Sequence, residues 1–588
     1  MPLVEGQNHI WHYVCYIINK GGHMYLNIRS YPAILLKLCI MFILIVCLPS
    51  CAVDINNVRR HVRGYAIKAD SRSPHLETIA EVNSKALAWY KENEWQFNKV
   101  NKTRPPEKCL CLSGGGIRSA AFSIGVLKGL HEKGILDKID IISGVSGGSY
   151  ALSWYYLQQY GEDRNVKDAL FSSAYLDKLT SRSGMLTHTE LALSGLGNVI
   201  LIPANIFFNI IFSFNVDTTF SRRIYERAIR NTFHDGKNPG FPEILELIKQ
   251  NDLPYFIINT SAAVDYSPSH HGSKLANRVF EFTPLRLGSD GFGYSNEFPV
   301  TVGRAVSISG AAVDLSGMTP GHLESAFLSS LNMDIGYHID NYNKRARYKN
   351  LRRIIPFYSI FNPNDRKGTD IYLTDGGYSE NLGMYSLVRR LCREIIVVDA
   401  EFDPNYQFVG YFKLKNVLRS EMQVDLEIEG IDKLQPKLEW KNINTKLNAF
   451  VGRKPCEKFN PYDDKKCFDT SSPVFNGSIS YFPGKALDSN IAQRKIDITY
   501  IKLSMDDKLF AGFSTDDPLA DAYSDAREYY GKDLVEYYLR NRINNDCGQW
   551  FIDCEFPHYT TLDQSYSSEQ FKAYIDLGYY IVRNEIKP

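Results

Sequence analysis

The chain has 588 residues, 44% of them hydrophobic and 23% charged. It is long enough for about two to four domains and too apolar to be read as disordered. A formal charge of +1 leaves no basic surplus for nucleic acid, and no acidic run forms a tail.

The first informative stretch is N-terminal. Arg29 and Lys37 precede the apolar run from Leu38 to Leu48, which Pro49, Ser50 and Cys51 follow. Basic, apolar and small residues in that order describe an export signal, and the run is too short for a comfortable span of about 20 residues. Leu48-Pro49-Ser50-Cys51 resembles a bacterial lipobox, with Cys51 as the lipidated mature N-terminus and Pro49 unusual within it. An uncleaved signal anchor is the alternative, and Met24 is an alternative start. Residues 1–51 are thus assigned to export and 52–106 to a polar helical linker with a helix over 76–97.

The compact pattern begins at Lys108. Cys109–Leu112 predicts a strand, stopped by Ser113-Gly114-Gly115-Gly116, and Ile117–Lys133 has helical apolar spacing closed by Gly134. Ile139–Ile142 predicts a second strand, ended by Gly144-Val145-Ser146-Gly147-Gly148 and followed by another helix. This is a βαβ unit of a parallel sheet. Further strands are expected at Tyr255–Ile258, Val279–Phe282, Ile371–Leu373 and Glu394–Val398, with a helix over 380–393, a long helix near 518–543 and a capped one after Ser567. Cys109 and Cys111, two apart on one strand, read as core residues. The local pairs Cys456/Cys467 and Cys547/Cys554 would be disulfides in an exported protein or else four free thiols. No histidine or cysteine cluster has ligand spacing, so neither a metal nor a cofactor is expected.

Leu191 to Val216 contains no charged residue. A single crossing there would put the two catalytic candidates on opposite sides of a membrane. Pro203 and scattered Gly and Asn favour a broken helical pair, serving either as an interfacial lid or as buried core.

Ester acyl transfer needs a nucleophile, a base and donors aimed at the oxyanion. Ser146 sits in a GxSxG elbow between a strand and a helix. The loop Ser113–Gly116 can turn backbone N–H groups outward at a helix N-terminus; it lacks the Gly-Lys-Ser/Thr of a nucleotide cradle. Asp375-Gly376-Gly377 ends a predicted strand, and as a carboxyl end of a parallel sheet it would share an edge with Ser146. His558 follows Asp375 and is the candidate for a triad, although a packing role is the expected one.

The loop SGGGIR, the elbow GVSGG and the acid motif DGG, in that order, resemble the patatin-like phospholipases, related in their core to cytosolic phospholipase A2. The resemblance covers roughly 107–400, with an echo in Phe556–Gly578. It implies an α/β fold, a three-layer sandwich around a mainly parallel sheet, in a catalytic domain 107–403 with an α+β extension over 404–588. It further implies Ser146 as nucleophile and Asp375 as its direct base. An oxyanion hole would come from Gly114, Gly115, Gly116 and Gly147. Arg118 would face a substrate phosphate and Asn381 would steady the acid loop. The expected function is release of fatty acid from membrane lipids at a membrane surface, with no calcium-binding C2 domain. Alternatives are a neutral-lipid lipase or acyltransferase, and a non-catalytic lipid binder.

Overall fold

The computed structural model describes residues 79–162, 166–182, 188–205, 220–263, 277–290, 293–311, 336–340, 370–403, 406–432, 473–481, 495–505, 524–543, 556–559, 561 and 564–587. The expected export signal, Cys51, both local cysteine pairs and residues 206–216 of the apolar segment lie outside them.

Twelve strands form one sheet among the described residues. They are β1 (Lys108–Leu112), β2 (Ile141–Val145), β3 (Tyr255–Ala263), β4 (Asn277–Phe282), β5 (Leu287–Ser289), β6 (Gly293–Ser295), β7 (Tyr337–Asp340), β8 (Asp370–Asp375), β9 (Glu394–Asp399), β10 (Val424–Ile428), β11 (Val474–Tyr481) and β12 (Ile496–Lys502). The order is β10-β11-β12-β9-β1-β2-β3-β4-β5-β6, with β8 also on β3 and β7 on β8. β12, β9, β1, β2 and β3 are mutually parallel, and the flanking pairings are antiparallel. The helices that matter here are α1 (Ile79–Asn93), α2 (Gly116–Glu132), α3 (Gly147–Leu157), α4 (His188–Asn205), α5 (Phe220–Phe233), α6 (Val302–Ser309), α7 (Tyr385–Arg389), α8 (Val409–Met422), α9 (Ser524–Tyr530), α10 (Lys532–Ile543) and α11 (Ser568–Glu585).

The period-two alternation of a strand explains the layers. Leu110 and Leu112 point into a core shared with α2, α3 and α11. Cys109 and Cys111 point the other way, into a core shared with α7 and α8. Both faces of the central strands are therefore covered, which is why they read as unbroken apolar runs. The fold is a mixed α/β sandwich with a mainly parallel centre, as the motif order implies.

Three local expectations change. Cys109 is not a plain core residue but is bridged to Cys392, 283 positions away; the parallel pairing of β1 with β9 brings the two together, and no local spacing announces it. The helix expected over 380–393 contracts to α7, because Glu380 spends its carboxylate on the N–H groups of Leu382 and Tyr385 at 2.5 and 3.2 Å. The helix near 518–543 is two, α9 and α10, separated by Gly531 at φ 78°, a left-handed conformation that ends a helix. Residues after 403 form the α+β extension: β10–β12 continue the sheet and α11 lies along α2.

In the apolar segment, α4 runs as one helix with Pro203 in its last turn. Asn198 ties it to α5 by two bonds with Ser221, both 3.0 Å. Leu196, Val199 and Ile200 are 57%, 61% and 66% exposed, so this stretch is not buried core. No helix among the described residues is long and apolar enough to cross a membrane.

Candidate active site

β2 delivers Val145 to the sheet edge and α3 starts at Gly147, leaving Ser146 on the turn between them. The chain must reverse within one residue, and Ser146 takes φ 49° and ψ −121°, a region that costs a side-chain-bearing residue about 1–3 kcal/mol. The turn is over-determined by its neighbours. The Ser146 N–H donates to Ser309 Oγ at 2.8 Å, and Ser309 in turn donates to Asn259 O at 2.6 Å. Ser149 Oγ donates to Ser146 O at 2.6 Å. A Cβ added to Gly147 would lie 2.0 Å from Gly116 O, so only glycine allows the elbow to touch the glycine loop.

Asp375 arrives on the same edge of β3 as β2, directly beyond the point where β2 ends, while β4 takes the opposite edge. Val145 stands opposite Asn259, and the next residue, Thr260, stands opposite Asp375. β8 is antiparallel to β3, so the acid does not end a parallel strand as the sequence suggested; the shared neighbour brings it to the serine. Ser146 Oγ donates to Asp375 Oδ2 at 2.9 Å, and both residues are buried. Asp375 Oδ1 accepts from Gly377 N at 2.7 Å, fixing the carboxylate plane. Beneath the loop, Ser261 Oγ donates to Gly376 O at 3.0 Å and accepts from Ser379 N at 2.9 Å.

The glycine loop ends β1 and opens α2. The N–H groups of Gly115 and Gly116 precede or begin that helix, where no intrahelical acceptor exists and the dipole favours an anion. Gly147 holds the same place at the start of α3. Gly114 leaves the expected donor set, because its N–H is taken by Asn381 O at 2.8 Å. Asn381 itself lies between the glycine loop and the Asp375 loop: its Oδ1 is 2.1 Å from where a Cβ on Gly114 would stand and 2.6 Å from where one on Gly377 would. Its Nδ2 donates to Glu401 Oε1 at 2.5 Å.

Arg118 is fully buried, and its described bonds all go to protein. Nε and Nη2 donate to Ala400 O at 3.2 and 3.1 Å, Nη1 donates to Tyr559 O, and Nη2 donates to Thr561 Oγ1 at 3.3 Å. The guanidinium staples α2 to the end of β9 and to the C-terminal segment, so a substrate phosphate would have to displace these partners. His558 does not close a triad. It packs edge-on against Tyr406, and neither ring nitrogen has a hydrogen-bond partner. Burial, with Lys502 next in effect, pushes its pKa down to about 3.

Sequence reasoning missed Asn259, Ser261, Ser309, Glu401 and Lys413. Asn259 is a hub under the elbow. Its amide donates to Ser143 Oγ at 2.7 Å and Gly144 O at 3.2 Å and accepts from Ser386 Oγ at 2.8 Å. Its signal was there to read: polar residues directly following the apolar run of β3. Glu401 accepts from Asn381 and from Gly410 N at 3.0 Å. Burial, then the neighbouring Asp399, raise its pKa to about 7.

Fold and site together define an α/β protein in which an elbow serine is hydrogen-bonded to an aspartate beside a glycine loop. Residues 110–292 match the family model of the patatin-like phospholipases. Among curated proteins, the chain is 22% identical over 354 residues to lysophospholipase 3 of Saccharomyces cerevisiae, covering 50% of this chain and 48% of that one. It is 24% identical over 197 residues to human cytosolic phospholipase A2 gamma, covering 33% and 32%. The chain thus spans about half or less of the length of these relatives. Among solved structures, human GIVD cytosolic phospholipase A2 aligns with a TM-score of 0.44 at 12% identity, covering 86% of this chain and 64% of that one.

Proposed function

We propose that the chain is a serine acyl-ester hydrolase that releases fatty acid from membrane lipids, of the phospholipase A or lysophospholipase type. The observation that carries this reading is the 2.9 Å bond between Ser146 Oγ and Asp375 Oδ2 on a strained elbow. Ser146 Oγ attacks the ester carbonyl as Asp375 takes its proton. The carbonyl oxygen becomes an oxyanion facing the N–H groups of Gly115 and Gly116, with Gly147 beside them. Collapse expels the lysolipid alkoxide, which takes the proton from Asp375 and leaves an acyl-serine. Water, losing its proton to Asp375, then attacks the acyl carbonyl. Fatty acid departs and Ser146 recovers its hydrogen.

Two features support a membrane-lipid substrate and an exported location. Leu196, Val199 and Ile200 form an exposed apolar face on α4, suited to resting in a lipid surface. The Cys109–Cys392 bridge suits an oxidising compartment, in keeping with the signal-like N-terminus and anchoring at Cys51.

The test mixes residues 52–588, beside the Ser146→Ala variant, with phosphatidylcholine vesicles and follows fatty acid and lysolipid by mass spectrometry. Release by the parent alone is expected. Equal release by both would remove Ser146 from the mechanism, and no release from a folded, vesicle-bound parent would move the reading to another ester or to lipid binding.

A further inference from the structure

The turn that presents Asp375 is only three residues long, Gly376–Tyr378. So short a 3₁₀ turn leaves carbonyls without helical partners. Gly376 O keeps the turn's own bonds, from Ser379 N and Glu380 N, both at 3.1 Å, and accepts from the hydroxyls of Ser261 and Ser379, both at 3.0 Å. The next two carbonyls are served from far along the chain. Lys413 Nζ, on the first turns of α8, donates to Gly377 O at 3.0 Å and to Tyr378 O at 2.8 Å. The lysine is largely buried, and an ammonium held in such a place must answer a specific need, since burial alone lowers its pKa.

We propose that Lys413 is a positioning residue for the base of the dyad: its ammonium clamps the two carbonyls that follow Asp375 and keeps a positive charge beside that carboxylate. The inference rests on the dyad reading. Two effects follow from one side chain. The clamp fixes the peptide units on which the Asp375 carboxylate hangs, with Oδ1 on Gly377 N at 2.7 Å. The charge favours the ionised aspartate, the form that can take the serine proton. Other groups face the same place. Glu401 and Glu380 act on Lys413 together with Asp375, and the hydroxyls of Tyr150 on α3 and Tyr225 on α5 lie within the field of Asp375. Among these groups Lys413 is the cation.

The test compares wild type with Lys413→Met, which keeps length and loses charge and donors, and with Lys413→Arg. Lys413→Met is expected to lose about 10- to 100-fold in kcat, as small misplacements of a reacting group do, with KM changed less than about twofold, as an effect confined to the transition state requires. The acidic limb of kcat/KM should move to higher pH in Lys413→Met and stay in place in Lys413→Arg. Because Glu401 titrates in the same cluster, the limb is measured again in a Glu401→Gln background; a shift that vanishes there overturns the assignment to Lys413. Independently of turnover, amide hydrogen exchange across residues 376–381 should quicken in Lys413→Met and be restored by Lys413→Arg. Unchanged exchange and an unmoved limb overturn the proposal. A wild type that cleaves no ester, with exchange still quickened in Lys413→Met, would sink the hydrolase reading and leave the clamp standing.

Discussion

At the residue scale the site is built by strain and by shared partners. Ser146 is held at φ 49° by the Ser309–Asn259 relay and by its own contact with Asp375. Ser146→Ala and Ser146→Gly both lack the hydroxyl and should both lose turnover by orders of magnitude. They should differ in stability, since glycine accepts the positive φ at little cost. We expect Ser146→Gly to be more stable than Ser146→Ala by about 1 kcal/mol, measured by urea unfolding; an alanine variant at least as stable would mean the elbow is not strained. Glu401 supplies a pH test with a definite sign. Its pKa is raised from an ordinary 4.5 to about 7, so the native state holds a proton that the unfolded chain releases. The contribution is present below about pH 4.5 and is lost as pH rises toward 7. The fall in unfolding midpoint between pH 5 and pH 8 should therefore be smaller in Glu401→Gln than in wild type. Equal falls would remove Glu401 as a titrating contributor. The nucleophile, acid and glycine loop were legible in sequence because each is a local motif. Lys413 and Glu401 were not, because an ammonium on a helix and a carboxylate after a strand acquire meaning only from loops folded against them.

At the element scale the closest crossing joins the two ends of the described core. α11 caps itself with Ser567 Oγ, which accepts from Gln570 N at 3.1 Å, and this terminus was readable from the spacing. Its partner was not. α2 and α11 approach so closely that a Cβ on Gly125 would lie 1.9 Å from Ile575 O, and one on Gly578 would lie 2.2 Å from Phe122 O. Backbone cannot yield as a flexible side chain does, so Gly125→Ala should push the helices apart and cost more than about 3 kcal/mol, at or above the overpacking range. Gly134→Ala is the control: it meets open space at φ 64° and should cost only about 1 kcal/mol of backbone strain. Comparable losses in the two variants, read from denaturant midpoints, would show that the crossing is looser than drawn. Arg118 belongs to this same junction, since its guanidinium joins α2 to Ala400 O and to the segment that leads into α11. The residue type and place in SGGGIR were visible in sequence; the protein carbonyls that occupy it were not.

At the scale of the whole molecule, the sequence revealed the βαβ start of the sheet and hid its far side. The runs at β1, β2 and β9 are buried on both faces and announce themselves by apolarity. β11 and β12 are separated from that motif by polar, Pro- and Asn-containing stretches, so nothing local says that β12 lies beside β9. The long-range pairing of β1 with β9 likewise brings Cys109 to Cys392. The bridge joins residues 283 positions apart, spanning the glycine loop, the elbow and the acid. Closing so long a loop removes much of the entropy of the unfolded chain, and a native bridge of this kind contributes about 2–5 kcal/mol. Cys109→Ser with Cys392→Ser should therefore lower the urea midpoint strongly, while untreated and reductant-treated wild type should differ by a similar amount once the buried sulfurs are reached through unfolding. The dyad residues come from β2 and β8, neither of which carries a bridging cysteine, so folded double variant should keep its turnover at low denaturant. A double variant with an unchanged midpoint would mean that the two thiols are not joined in the working protein, and the argument from the bridge to an oxidising compartment would fall with it.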